Sequence, residues 1–150
     1  MNSRKLFIIN YSLHMTYVNA PVHDLLIRIK NAYMARKTIV DWVVYSTFKE
    51  DILNLLKQYE FIKNFEVLQE KDSPKKFIKI QLKKVVNPVD DIPHVKFFSK
   101  PSRPWYVGYK DLKLVAGGKG IGVISTNQGL MATHVAHEKK IGWELIAEIY

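Results

Sequence analysis

The chain has 150 residues, enough for one domain or for two small ones sharing an interface. It contains no cysteine, which excludes disulfide scaffolds, zinc ribbons and thiol nucleophiles together. Lys and Arg number 23 against 14 Asp and Glu, and a net charge of +9 favours a polyanionic partner, of which nucleic acid is the commonest. A membrane surface is the competing polyanion. It would call for a basic amphipathic helix with Trp or Phe opposite, which is not found, and no apolar run approaches ~18 residues.

Residues 1–19 carry Arg4, Lys5, the run Leu6-Phe7-Ile8-Ile9 and no acid. That composition is faintly like a mitochondrial targeting segment. We expect an extension held by a partner rather than a cleaved signal.

Pro21 opens a predicted helix over residues 21–36, with Val22, Leu25, Leu26, Ile29, Ala32 and Tyr33 forming a stripe of period 3.6. Arg28, Lys30, Asn31 and Arg36 fall on its outer face, either as a solvated surface or as phosphate contacts. Ile39 to Tyr45 reads as a strand. Thr47 to Glu50 fits a capping box for a second helix over 47–59, with Ser46 as the competing cap. Strands follow at 61–69 and 76–84, joined by Asp72-Ser73-Pro74. In the second of these, Ile78, Ile80 and Leu82 alternate with Lys79, Gln81 and Lys83, which predicts one buried and one basic face.

Asn87 to Pro93, with two prolines and two acids, reads as a linker. Val95 to Phe98 and Trp105 to Val107 are strands on either side of a basic corner, Ser99-Lys100-Pro101-Ser102-Arg103-Pro104, whose prolines forbid a central strand. Gly117-Gly118-Lys119-Gly120 fits neither the P-loop nor the dinucleotide fingerprint. Ile121 to Ile124 is a buried strand that runs into the uncharged turn Ser125-Thr126-Asn127-Gln128-Gly129. By composition this is an ordinary hairpin tip. It is equally a set of hydroxyls and amides able to reach base edges, ribose and phosphate. Thr133 caps a short helix that stops at Lys139, Lys140 and Gly142. His134 and His137 on that helix lack a third metal ligand and read as surface histidines. In the last strand, alternation sends Trp143, Leu145, Ala147 and Ile149 to the core, with Glu144, Ile146, Glu148 and Tyr150 opposite.

Four of these stretches together resemble one family. Ala20-Pro21-Val22-His23-Asp24 through Ala32 is similar to its opening helix, and Ser99-Lys100-Pro101 through Tyr106 to its basic corner. Gly120 to Met131 resembles its signature strand and turn, and Gly142-Trp143-Glu144-Leu145 its closing strand. The family is small-subunit ribosomal protein eight of the bacterial and organellar type, and the resemblance spans about residues 20–150 in order. The chain departs from the pattern in several places. Asn127 and Gln128 replace a Ser and a Lys at the tip, Ser102 and Pro104 replace a Gly and an Arg in the corner, and Trp143 replaces a Gly.

The resemblance implies an α+β fold of two small domains: an extension (1–19), an N-terminal α-β-α-β-β unit (20–86), a linker (87–93) and a C-terminal, mostly β domain with a short helix (94–150). It implies a structural constituent of the small ribosomal subunit without catalytic activity, cofactor, membrane or small-molecule substrate. The second domain would bind the central domain of small-subunit rRNA, and neighbouring small-subunit proteins would be its other partners. Carried onto this sequence, the RNA-binding set is Arg28, Lys30, Asn31, Ser99, Lys100, Pro101, Ser102, Arg103, Tyr106, Ser125, Thr126, Asn127, Gln128, Gly129 and Glu144. Within it, Glu144 is expected to accept hydrogen bonds from the Ser125-Thr126 tip or from RNA donors such as a 2′-hydroxyl.

Two other functions use the same residues differently. A free regulatory protein acting on messenger RNA would need the same surface. An enzyme would have to work with Glu144, Glu148, His134 and His137 alone, without a nucleophile, metal cluster or cofactor loop. The extension, the altered tip and the abundance of Ile, Lys, Asn and Tyr point to a ribosome in a mitochondrion, with a plastid or a bacterial cytoplasm as the alternatives.

Overall fold

The computed structural model describes residues 20–100 and 102–150. The expected extension over 1–19 and the corner proline Pro101 lie outside them.

Helix α1 (Ala20–Met34) buries the whole predicted stripe, from Val22 at 0% exposure to Tyr33 at 2%. It stops two residues short of expectation because Arg36 turns left-handed (φ 55°). The Arg36 N–H then donates to the Tyr33 carbonyl and the Lys37 N–H to that of Ala32, both at 2.9 Å, which closes the last turn. Strand β1 (Ile39–Val44) leads to helix α2 (Thr47–Gln58), and of the two caps the sequence offered the structure uses Ser46, whose Oγ accepts from the Lys49 N–H at 3.2 Å. Strands β2 (Asn64–Gln69) and β3 (Lys76–Gln81) form an antiparallel hairpin, and β1 pairs with β3 from the other side, giving the order β1-β3-β2. Both hairpin strands are shorter than predicted. The basic face of β3 is half-buried at Lys79 and Gln81, while Ile78 and Ile80 are fully buried.

The stretch read as a linker carries a single helical turn, α3 (Pro88–Asp91), capped by Asn87. The Asp91 carboxylate accepts from the backbone N–H groups of Val86 and Asn87, each at 2.7 Å. The Asn87 and then the Val86 donor hold its carboxyl below the usual carboxylate range.

The second half is a five-stranded sheet of β4 (Val95–Phe97), β5 (Tyr106–Val107), β6 (Ile121–Thr126), β7 (Gly129–Ala132) and β8 (Trp143–Ile149). Its order is β4-β8-β6-β7, with β5 also paired to β8. Helix α4 (Thr133–Glu138) crosses between β7 and β8. Thr133 is its first buried residue and not its cap, since Ala132 holds the cap position without a side-chain bond. Past the cap Lys139, the left-handed turn that closes the helix falls on Lys140 (φ 56°), not on Gly142. Gly142 is required for another reason: a Cβ there would lie 2.4 Å from the Val107 carbonyl oxygen, so the chain passes against β5.

The two faces of this sheet bury different things. Ile121, Val123, Ala132, Ala147 and Ile149 join one apolar cluster with the residues of α1, α2, β1 and β3. Ile124, Met131 and Ala136 form a second cluster with Val107 and Leu112 packed on it. Between them lies an irregularity in β8. Val123 pairs with Ala147, but the next residue, Ile124, pairs with Leu145, leaving Ile146 without a partner on β6. This extra residue reverses the alternation of β8. Leu145 and Trp143 move to the face under α4, and Glu144 turns to the face shared with α1 and α2.

Candidate nucleic-acid interface

The bulge decides what the end of the sheet presents. Directly paired residues of antiparallel strands project from the same face, and the registers Tyr106↔Glu144, Glu144↔Ser125 and Ser125↔Leu130 therefore make one row across β5, β8, β6 and β7. Leu130 is half-buried against the core, Ser125 and Glu144 are half-exposed, and Tyr106 is 58% exposed. Tyr106, Ser125 and Glu144 are three of the residues singled out from sequence, and the fold brings them together.

The tip beyond Ser125 is a tight hairpin in which Thr126 pairs with Gly129. Its one positive φ falls on Gly129 (103°), the residue type that tolerates it. Thr126 does not offer its hydroxyl outward. It is 9% exposed, its Oγ1 donates to the Gly129 carbonyl at 2.8 Å and accepts from the Gln128 N–H at 3.2 Å. Thr126 thus holds the turn, and Asn127 and Gln128 are the side chains that project. Gln128 and Gly129 share a cleft with Asp51, Asn54 and Gln58 of α2.

Ser99 also works inside the protein. It is fully buried, its Oγ donates to the Leu145 carbonyl (2.8 Å) and accepts from the Trp105 N–H (2.9 Å), and its own carbonyl accepts from His23 Nε2 (2.7 Å). These bonds moor the corner to β8 beside Glu144 and to α1. Lys100 and Arg103 close the corner with reciprocal backbone bonds, Lys100 N–H to Arg103 carbonyl at 3.1 Å and the reverse at 2.9 Å, which leaves Lys100, Ser102 and Arg103 exposed. The chain then runs through Trp105 directly into Tyr106.

Arg28, Lys30 and Asn31 stand apart, on α1. Arg28 is committed to the backbone: its guanidinium donates to the carbonyls of Asp41 (2.5 Å) and Trp42 (3.4 Å), where the β1 register shifts and Trp42 adopts φ 58°. Asn31 is exposed and Lys30 half-exposed.

Trp143 corrects the sequence reading most sharply. Alternation sent it to the core; the bulge at Ile146 leaves it 58% exposed, with its ring 5.0 Å from that of Tyr106. With Trp105 at 50% exposure, the aromatic character of this rim is a feature that sequence reasoning missed. The histidines of α4 have packing roles: His134 Nε2 is hydrogen-bonded to Tyr59 Oη at 2.9 Å, and His137 lies edge-on to Tyr109. Among the described residues no group of three or more His, Asp or Glu could hold a metal ion, and no helix is long and apolar enough to cross a membrane.

A family model described as ribosomal protein S8 matches residues 20–150. The chain belongs to the ribosomal protein S8 family. It is 42% identical over 134 residues to the small ribosomal subunit protein uS8 of Dictyoglomus thermophilum, an alignment covering 89% of this chain and 98% of that protein. It is 37% identical over 134 residues to the uS8 protein of Caldicellulosiruptor bescii, covering 89% and 99%. The uS8 protein of Bacteroides fragilis is 37% identical over 131 residues, covering 87% and 98%. Family membership makes the chain a ribosomal protein and not an enzyme.

Proposed function

We propose that the protein is a structural constituent of the small ribosomal subunit that binds the central domain of small-subunit rRNA and supports subunit assembly. The observation that carries this reading is the convergence of three unlike features at one end of the second sheet: the row Tyr106, Glu144 and Ser125, the uncharged tip of Asn127 and Gln128, and the Lys100–Arg103 corner moored beside them. Cations supply affinity for phosphate, while neutral donors and acceptors on a rigid turn supply fit to ribose and base edges. RNA helices are recognised in this way, by shape and 2′-hydroxyls rather than through a readable major groove.

In this reading residues 94–150 form the rRNA-binding domain, residues 20–86 contact nearby rRNA through Lys30 and Asn31, and residues 1–19 serve assembly through rRNA or a neighbouring subunit protein. Placement in a mitochondrial ribosome rests on composition and on residues 1–19, and the relatives named above are bacterial. The test is sedimentation of native small subunits through high salt, followed by binding of the purified protein to a central-domain rRNA fragment. Retention on the subunit and saturable binding to the fragment are expected. Loss from washed subunits, with binding kept only for a messenger stem, would replace this reading with a free regulatory one.

A further inference from the structure

We infer that the apolar run Leu6-Phe7-Ile8-Ile9 of the N-terminal extension folds back onto the outer face of the first sheet and covers Trp42. Such a contact goes beyond the reading above and holds whatever the protein binds.

Helices α1 and α2 cover one side of the β1-β3-β2 sheet, where Val40, Val43, Ile78 and Ile80 are buried. The opposite side is open among the described residues. There the register Val44↔Phe77↔Leu68 lays one apolar row across all three strands, with Val44 62% and Leu68 48% exposed. Trp42 sets its ring edge-on to Phe77 at 5.3 Å and is 72% exposed. One exposed apolar residue needs no explanation, but a contiguous set marks a contact surface. The backbone is strained to build it. Asp41 and Trp42 together stand opposite Lys79, a bulge in β1. Trp42 takes φ 58°, a conformation that large side chains rarely adopt. The other non-glycine residues with positive φ lie at helix ends, turns or loops, whereas Trp42 sits inside a strand. Arg28 holds it there by donating to the Asp41 and Trp42 carbonyls.

Charge and reach select the occupant. The groove beside Trp42 is lined by Leu68 and Phe77 together with Asp41, Glu70 and Lys79. Lys79 is matched by Glu66 directly across the strands, and Lys76 holds its Nζ 5.4 Å from the Tyr45 ring centre. In a chain of net charge +9, acids here border an apolar face. They repel phosphate and acidic partners alike. Residues 1–19 have the complementary character, with Arg4 and Lys5 beside Leu6-Phe7-Ile8-Ile9 and no acid. They also reach. Ala20 precedes Arg28 by eight residues, about 12 Å of helix, and Arg28 touches the Trp42 backbone. Residues 10–19 can span about 33 Å when extended, ample to carry the run from Ala20 around the edge strand β1. Covalent attachment makes the contact intramolecular, so a short apolar run suffices where a separate peptide would not. Residues 10–19 are then left to make the assembly contacts proposed above.

The chain lacks cysteine, so paired cysteines can be introduced into the full protein without side reactions. Asn10→Cys with Gln69→Cys should form a disulfide within one chain under mild oxidation, while Asn10→Cys with Lys110→Cys, in the second half, should not. In a second variant, Trp105→Phe with Trp143→Phe leaves Trp42 as the sole tryptophan. Its quenching by acrylamide should rise severalfold when Leu6, Phe7, Ile8 and Ile9 are all replaced by Ser. Phe7→Ser and Leu68→Ser should each lower the urea midpoint, and together by no more than one of them alone. Absence of the bond to Gln69→Cys, equal quenching with native and Ser-substituted runs, or additive midpoints overturns the contact. A disulfide that forms only between chains and grows with protein concentration assigns the face to a second copy and overturns it too. Protection of Trp42 that appears only after small-subunit proteins or rRNA are added assigns the face to the subunit, with the same result.

Discussion

Ser125 and Glu144 face each other across β6 and β8, on the same side of the sheet, one residue before the hairpin tip begins to turn. An acid on a surface that meets RNA is repelled by phosphate unless its oxygens accept hydrogen bonds, and in that case it strengthens the donors it orders. We expect Glu144→Gln to weaken binding to the rRNA fragment even though it removes a negative charge. Combined with Ser125→Ala, it should show a coupling of at least about 0.5 kcal/mol in a double-mutant cycle. Tighter binding by Glu144→Gln, or plain additivity, would show Glu144 to be a bystander.

Lys100 and Arg103 are exposed on a closed corner, whereas Arg28 is tied to the carbonyls of Asp41 and Trp42. Replacing either corner residue with Ala should reduce the slope of log affinity against log salt by about one unit and leave the melting temperature unchanged. Arg28→Ala should do the reverse, costing about 1 kcal/mol of stability with little change in slope. Salt titrations paired with urea unfolding separate the two outcomes.

Gly142 is the contact point between the start of β8 and the segment after β5. A methyl group there would meet the Val107 carbonyl oxygen, the Gly108 Cα and the Tyr109 nitrogen, all within 3 Å. Gly142→Ala should therefore destabilise the fold by about 1–3 kcal/mol, as overpacking does. Because β5 carries Tyr106, it should also weaken RNA binding by more than its effect on stability explains. Unfolding and binding measured on the same preparation test both halves of the prediction.

Asp91 provides a pH handle. Its carboxyl is held low by the N–H groups of Asn87 and Val86, so its contribution to stability is present above the unfolded-state carboxylate pKa and disappears as pH falls through the lower folded value. Asp91→Asn should lose stability at neutral pH and show a flatter decline on acidification than the parent. Identical pH profiles of urea midpoints for the two proteins would contradict this.

Much of the architecture was legible because periodicity reports burial directly. The stripe from Val22 to Tyr33 appears in the structure without a miss. What stayed hidden has a common physical cause, since local pattern does not reveal pairing. The phase of β8 depends on a bulge that exists only because β6 skips Ile146. The burial of Ser99 depends on β8 and α1 arriving at its hydroxyl and carbonyl. The stops of α1 and α4 fall on Arg36 and Lys140, residues that take positive φ because the last-turn carbonyls accept from the N–H groups there. Sequence alone would have asked for glycine. Of the candidate interface, Tyr106, Ser125 and Glu144 were legible, while the outward turn of Trp143 was not.

The unpaired Ile146 has a further consequence for how this protein can change. It divides β8 into two stretches whose inward directions are opposite, and only the one from Ile146 onward belongs to the cluster packed with the helices of the first half. Residues from Ile146 to Ile149 are constrained by packing against the helices, whereas Trp143 and Glu144 stand beyond the phase reversal. Trp143 and Glu144 can thereby be exchanged without renegotiating the interior. Deleting Ile146 would remove that freedom at a stroke, since it would restore simple alternation, swinging Trp143 toward the core and taking Glu144 off the row it shares with Ser125 and Tyr106.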